Sequence, residues 1–144
     1  MEMDEKFMRE ALREAEAARA QGEIPIGAVV VWKGHIIGRG HNETERLRDT
    51  TAHAEMIAIT AASEAMGGKY LTDCTLYVTV EPCPMCAGAL AWSQISRIVY
   101  GAPDVRRGYS LFTPSLLHPR TQTSGGVLQE DCAALMLDFF KSKR

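Results

Sequence analysis

Two short segments constrain this chain more than anything else in it: His53-Ala54-Glu55 and, further on, Pro82-Cys83-Pro84-Met85-Cys86. Together they offer an imidazole, a carboxylate and a pair of thiols. Proline is favoured at the first helical position, because its missing N–H would go unpaired there in any case. Pro84 therefore opens a helix, Cys83 caps it and Cys86 falls in its first turn. Unpaired backbone N–H groups and the helix dipole at that end stabilise thiolate. His53 and Glu55 stand roughly 200° apart around an ideal helix, so in mid-helix their side chains would diverge. At a helix start both can approach a group lying off the end, and Asp49-Thr50-Thr51 supplies capping residues just before it. A fold that uses these residues together must place two helix starts side by side.

The number of donors decides what such a junction can hold. Imidazole and thiolate suit zinc, and structural zinc sites are usually closed by four protein ligands. His53, Cys83 and Cys86 supply three, which leaves the fourth position to water. The expectation is one Zn2+ per subunit in an open, hydrolytic site, with Glu55 as the proton carrier beside it. A non-catalytic structural-zinc module is the contrasting reading. It requires a fourth protein ligand and has no use for Glu55.

The rest of the chain reads as alternating helices and strands. Phe7, Met8, Ala11, Leu12 and Ala15 recur at helical spacing within residues 4–20, with charges between them, and Gly22 ends the helix. Gly27-Ala28-Val29-Val30-Val31-Trp32 is apolar on both faces and predicts a doubly buried strand. Lys33-Gly34 turns the chain into a second strand, His35-Ile36-Ile37-Gly38-Arg39-Gly40. Residues 43–51 are polar and loop-like. Residues 52–66 predict a helix apolar nearly all round, hence buried. Thr75–Val80, a helix from Pro84 to about Trp92, and Arg97–Tyr100 make a strand–helix–strand unit with a right-handed parallel crossover. Residues 103–125 have no regular period, broken by Gly108, Pro114, Pro119 and Gly125. A helix from about Gln129 to Lys141 closes the sequence. The sum is an α/β sandwich with helices on both faces of a mixed sheet.

Composition narrows the surroundings. A formal net charge of −2 gives no basis for indiscriminate polyanion binding, so nucleic-acid contact would need a local basic patch. No segment approaches the length of an apolar membrane span, and the acidic Met1–Lys6 start is unlike a signal peptide. A cytoplasmic protein with reduced thiols is expected, with Cys74 and Cys132 as lone core residues.

With these residues in view, the chain resembles the cytidine-deaminase-like superfamily, whose mark is H-x-E followed by P-C-x-x-C. More closely it is similar to the bacterial tRNA adenosine deaminases. The likeness runs through Gly22–Ala28, Gly40-His41-Asn42, Thr51–Glu55, Thr75–Cys83, Met85–Ala89, Arg97–Ala102 and Phe139-Phe140 with its basic end, nearly the whole chain. It implies one deaminase domain over residues 1–144, built as a three-layer α/β/α sandwich around a central mixed five-stranded sheet. It also implies zinc on His53, Cys83 and Cys86, Glu55 as general acid/base, and a base pocket lined by Ile24, Asn42, Ala54 and Pro82. The family hydrolyses the 6-amino group of the wobble adenosine in a tRNA anticodon loop, giving inosine and ammonia, and works as a homodimer. Arg106, Arg107, Phe140, Lys143 and Arg144 are the candidates for RNA contact, although charge runs are more often solvated faces. The sequence departs from the family between Pro103 and Gly126, where the family carries a longer glycine- and serine-containing stretch. Cys-Pro-Met-Cys and Trp92 also resemble deaminases of free guanine or cytosine, the alternative within the same chemistry.

Overall fold

A computed structural model describes residues 2–143. The elements in chain order are α1 (Glu2–Ala20), β1 (Gly27–Trp32), β2 (His35–His41), α2 (Ala54–Met66), β3 (Cys74–Val80), α3 (Pro84–Ser93), β4 (Arg97–Ala102), a 3-10 turn at Tyr109–Leu111, β5 (Gln122–Ser124) and α4 (Gln129–Ser142). The strands form one sheet in the order β2-β1-β3-β4-β5. β1 runs antiparallel to β2 and to β3, while β3, β4 and β5 are mutually parallel. The mixed sheet and the β3-α3-β4 crossover match the sequence reading.

Strand alternation sorts the core into two layers. Ala28 and Val30 of β1, Leu76 and Val78 of β3, and Ile98 of β4 face Ala54, Ala58 and Ala62 of α2 and Leu90 of α3. Val29, Val31, Tyr77 and Val99 face Phe7, Met8 and Ala11 of α1 and Cys132 of α4. Each fully buried Leu, Ile or Met in these layers contributes about 1.5–3 kcal/mol relative to exposure. Cys74 and Cys132 are free thiols inside the core, as expected.

Two features fix the helices against the sheet. β2 carries Gly38 and Gly40, and a Cβ at either would run into the α2 backbone at Ala58 and Ala62 or at Ala54 and Ala58. Only glycine lets α2 lie this close, backbone against backbone. At the other end of the sheet, Asp4 ties α1 to the start of β4. Its carboxylate accepts from Arg97 Nη1 at 2.9 Å and Nη2 at 2.8 Å, and from the Tyr77 hydroxyl at 2.9 Å. Arg97 also donates to Ser124 Oγ of β5 at 3.2 Å.

Three expectations need correction. α2 is not buried all round: Ala54, Glu55, Ala58 and Ala62 are buried, but Met56, Ile57, Ile59 and Ala61 are only half-buried. Ala54, Ala58 and Ala62 form the side packed on the sheet. Asp49-Thr50-Thr51 does not cap α2. Asp49 instead accepts from the Thr51 N–H at 2.8 Å and hydroxyl at 2.7 Å, closing a local turn. Finally, residues 122–124 of the irregular segment form β5, whose strand hydrogen bonds come from β4 rather than from any pattern of its own.

Candidate metal centre

Both motif halves lie at helix starts on the same face of the sheet. His53 precedes α2 with φ −77 and ψ 156, and Cys83 precedes α3 with φ −76 and ψ 170. Each is an N-cap in extended conformation, and neither side chain makes a capping hydrogen bond. The two cap side chains are turned toward each other instead. His53 Nδ1 lies 3.6 Å from Cys83 Sγ and 3.6 Å from Cys86 Sγ. With metal–nitrogen and metal–sulfur bonds of zinc length at a tetrahedral angle, N and S are held about 3.6 Å apart. Both spacings from the imidazole thus fit a tetrahedral zinc ion. Among the described residues, the cluster of metal-ligating side chains comprises His53, Cys83 and Cys86 and no fourth member.

The electrostatics of the cluster follow from burial and from the two helix ends. Cys86 donates to Cys83, which with the nearby His53 brings the Cys83 thiol down to about 4. Cys86 moves the other way, held protonated by its bond to Cys83 and by burial. The two thiols are thus unequal, and Cys83 is the readier to carry charge. The Cys83 hydrogen bond raises His53 against the opposing effect of burial. Glu55 is 4% exposed and has no salt-bridge partner among the described residues. Burial lifts its carboxyl to about 7, the Cys83 charge adds to the rise and His53 opposes it. A carboxyl held there can both accept and release a proton at neutral pH.

The other expected site residues divide. Asn42, Ala54 and Pro82 are buried; Ala54 lies between His53 and Glu55, and Pro82 directly precedes Cys83. Ile24 is partly exposed at 38%. Arg106 and Arg107 are exposed on the segment after β4, while Phe140 and Lys143 are exposed at the end of α4. Phe139 and Phe140 differ: the first ring is in the core and the second is 47% exposed. Arg144 lies outside the described residues.

The sequence reading gave no role to two buried carboxylates that hold the loops around the centre. Glu23, between α1 and β1, accepts the N–H groups of Glu45 at 3.1 Å and Arg46 at 2.7 Å. Glu81, between β3 and α3, accepts from the Asp104 N–H at 3.1 Å, the Ser110 N–H at 3.0 Å and the Ser110 hydroxyl at 2.6 Å. Their one signal in the sequence is an acidic residue beside an apolar strand, immediately before the hydrophobic or proline residue that leads into the next element.

A mixed sheet with paired helix starts presenting His, Cys, Cys and a buried Glu defines a zinc-dependent deaminase site. Residues 1–102 match the cytidine and deoxycytidylate deaminase zinc-binding region, and the chain belongs to that family. The chain is similar to curated tRNA-specific adenosine deaminases. The one from Bacillus subtilis is 44% identical over 149 residues, covering 100% of this chain and 92% of its own. That of Aquifex aeolicus is 41% identical over 145 residues, covering 97% and 95%. Among solved structures, one from a study of A-to-I editing by tRNA:A34 deaminases at the wobble position superposes with a TM-score of 0.85. It is 40% identical and covers 90% of this chain and 98% of its own. A guanine deaminase from Bacillus subtilis is 42% identical with a TM-score of 0.66, covering 69% and 64%.

Proposed function

We propose that this single zinc-dependent deaminase domain, residues 1–144, hydrolyses the wobble adenosine of a tRNA anticodon loop to inosine and ammonia. The observation that carries the chemistry is the three-donor cluster with a buried carboxylate that no arginine or lysine pairs with among the described residues. The full-length likeness to tRNA-specific adenosine deaminases carries the substrate.

His53, Cys83 and Cys86 would hold the zinc, whose Lewis acidity makes water a usable nucleophile near neutral pH. Glu55 takes the proton from the attacking water and delivers it to N1 of the base as the C6–O bond forms. It then takes the remaining proton from the new C6 hydroxyl and gives it to the exocyclic amino group, which leaves as ammonia as the C6–N bond breaks and the C6=O bond forms. Ile24, Asn42, Ala54 and Pro82 line the pocket for the base. The base must leave the loop's stack to reach it, which costs least in a single-stranded loop. Arg106, Arg107, Phe140, Lys143 and Arg144 are the proposed RNA contacts. Acting on tRNA places the protein in the cytoplasm. No helix among the described residues is long and apolar enough to cross a membrane.

The assembly is a homodimer. What supports it is the outward face of α2 and α3, where half-buried Ile59 adjoins Tyr70 and Trp92, the last 83% exposed. An apolar surface of this kind on one copy calls for cover.

Deamination of free guanine is the second reading, favoured by the likeness to the Bacillus subtilis guanine deaminase. The deciding experiment offers the pure protein an anticodon stem-loop RNA, guanine, cytosine and cytidine, and measures ammonia. Release from the RNA is expected. Release from guanine with none from RNA overturns the assignment.

A further inference from the structure

Glu81 is a buried carboxylate that the chemistry leaves unused. It follows β3 directly and precedes Pro82-Cys83, so it sits at the base of the metal centre. Its Oε1 accepts the Asp104 N–H, and its Oε2 accepts both the N–H and the hydroxyl of Ser110. Gly108 lies against the same carboxyl, and a Cβ there would collide with it. The Tyr109 N–H reaches the Pro82 carbonyl at 3.0 Å. At the start of the turn, Asp104 Oδ1 accepts the N–H groups of Arg106 and Arg107, both at 3.0 Å. Both ends of the 104–110 turn thus hang from one buried anion, and its two exposed arginines project between them.

Burying a carboxylate is unfavourable unless its oxygens are well supplied with donors. Charge-assisted bonds to backbone N–H groups are directional, so they fix the rotation of a turn as well as its position. Here the donors come from both ends of the turn, and a glycine lets the chain pass directly over the anion.

We propose that Glu81 is a positioning residue for RNA: it locks the 104–110 turn to the strand exit that carries Cys83, so that Arg106 and Arg107 meet phosphates flanking the target nucleotide. This rests on the reading that the substrate is an anticodon loop. Glu81 does not touch the base, and it acts through the two arginines.

The test is steady-state turnover of an anticodon stem-loop RNA by the zinc-loaded full chain. In Glu81→Gln an amide group replaces one accepting oxygen. We expect KM to rise about tenfold, kcat to stay within about twofold and zinc content to be unchanged. Arg106→Ala/Arg107→Ala raises KM as well, and adding Glu81→Gln to that pair gives no further rise, because the residue acts through those side chains. Ser110→Ala, which removes only a hydroxyl, raises KM about threefold and is absorbed in the same way. It carries the test should Glu81→Gln not fold. KM increases that multiply with those of the arginine pair, or a fall in kcat at constant KM, overturn the proposal. Should the unmodified chain release ammonia only from guanine, the substrate assignment fails and this role with it. RNA turnover with multiplicative effects removes the positioning role alone.

Discussion

Asp4 and Glu55 are both buried carboxylates, packed at opposite ends of the same sheet, and they have opposite characters. Asp4 stands where β4 begins, gripped by both guanidinium nitrogens of Arg97 and by the Tyr77 hydroxyl. The Arg97 hydrogen bonds hold its carboxyl below the usual carboxylate range. Glu55 stands near the exit of β3 with no arginine or lysine against it, and burial moves it up to about 7. Burial raises both carboxyls; at Asp4 the Arg97 bonds outweigh it, and at Glu55 it prevails. A carboxylate matched to a cation is fixed in one charge state and holds elements together. A carboxylate left unmatched changes state near neutrality and is suited to moving protons.

That contrast can be broken in four ways, from the largest effect down. Cys86→Ala removes a donor from the cluster, so zinc content should fall well below one per chain and turnover should vanish. Metal analysis together with ammonia release checks both. Glu55→Gln keeps the shape and the metal but cannot take a proton, and kcat should drop at least ~10²-fold with zinc content unchanged. A variant of normal turnover would refute the shuttle. Asp4→Asn should do the reverse, lowering stability at neutral pH by about 2 kcal/mol in urea titration while kcat stays near normal.

The fourth test follows Asp4 with pH. Its folded pKa is depressed, so its contribution is fully present above the unfolded value of about 3.9 and is lost as pH falls through the lower folded value. Unfolding midpoints of the unmodified chain should therefore decline across that acid window, with a flatter decline in Asp4→Asn. Parallel curves for the two proteins would show that the Arg97 pair is not the cause.

The sequence exposes those parts of the molecule whose residues act through type and spacing. Pro84 announces the start of α3, and Cys83 and Cys86 follow from it. The three-donor count follows from His53 and is matched by the 3.6 Å spacings. Much less of the surroundings can be read. β5 is a strand only because β4 offers it partners, so Gln122-Thr123-Ser124 carries no alternating signal of its own. Asp49 can cap a helix or close a local turn with Thr51, and tertiary context selects the turn. Glu23 and Glu81 look like surface acids until the loops that donate to them are placed. The outward side of α2 reads as core because Met56, Ile57 and Ile59 are apolar, and sequence does not say whether the cover is the same chain or another copy.

The close seat of α2 on Gly38 and Gly40 bears on how the chain comes by its metal. Backbone packed on backbone leaves this helix little room to slide or turn, so the sheet itself holds His53 toward Cys83 and Cys86. Small zinc modules that fold only on metal uptake divide their affinity between coordination and ordering the chain. Here sheet packing supplies part of that order, so a chelator should strip the protein to a folded, idle form that resumes work when zinc is returned.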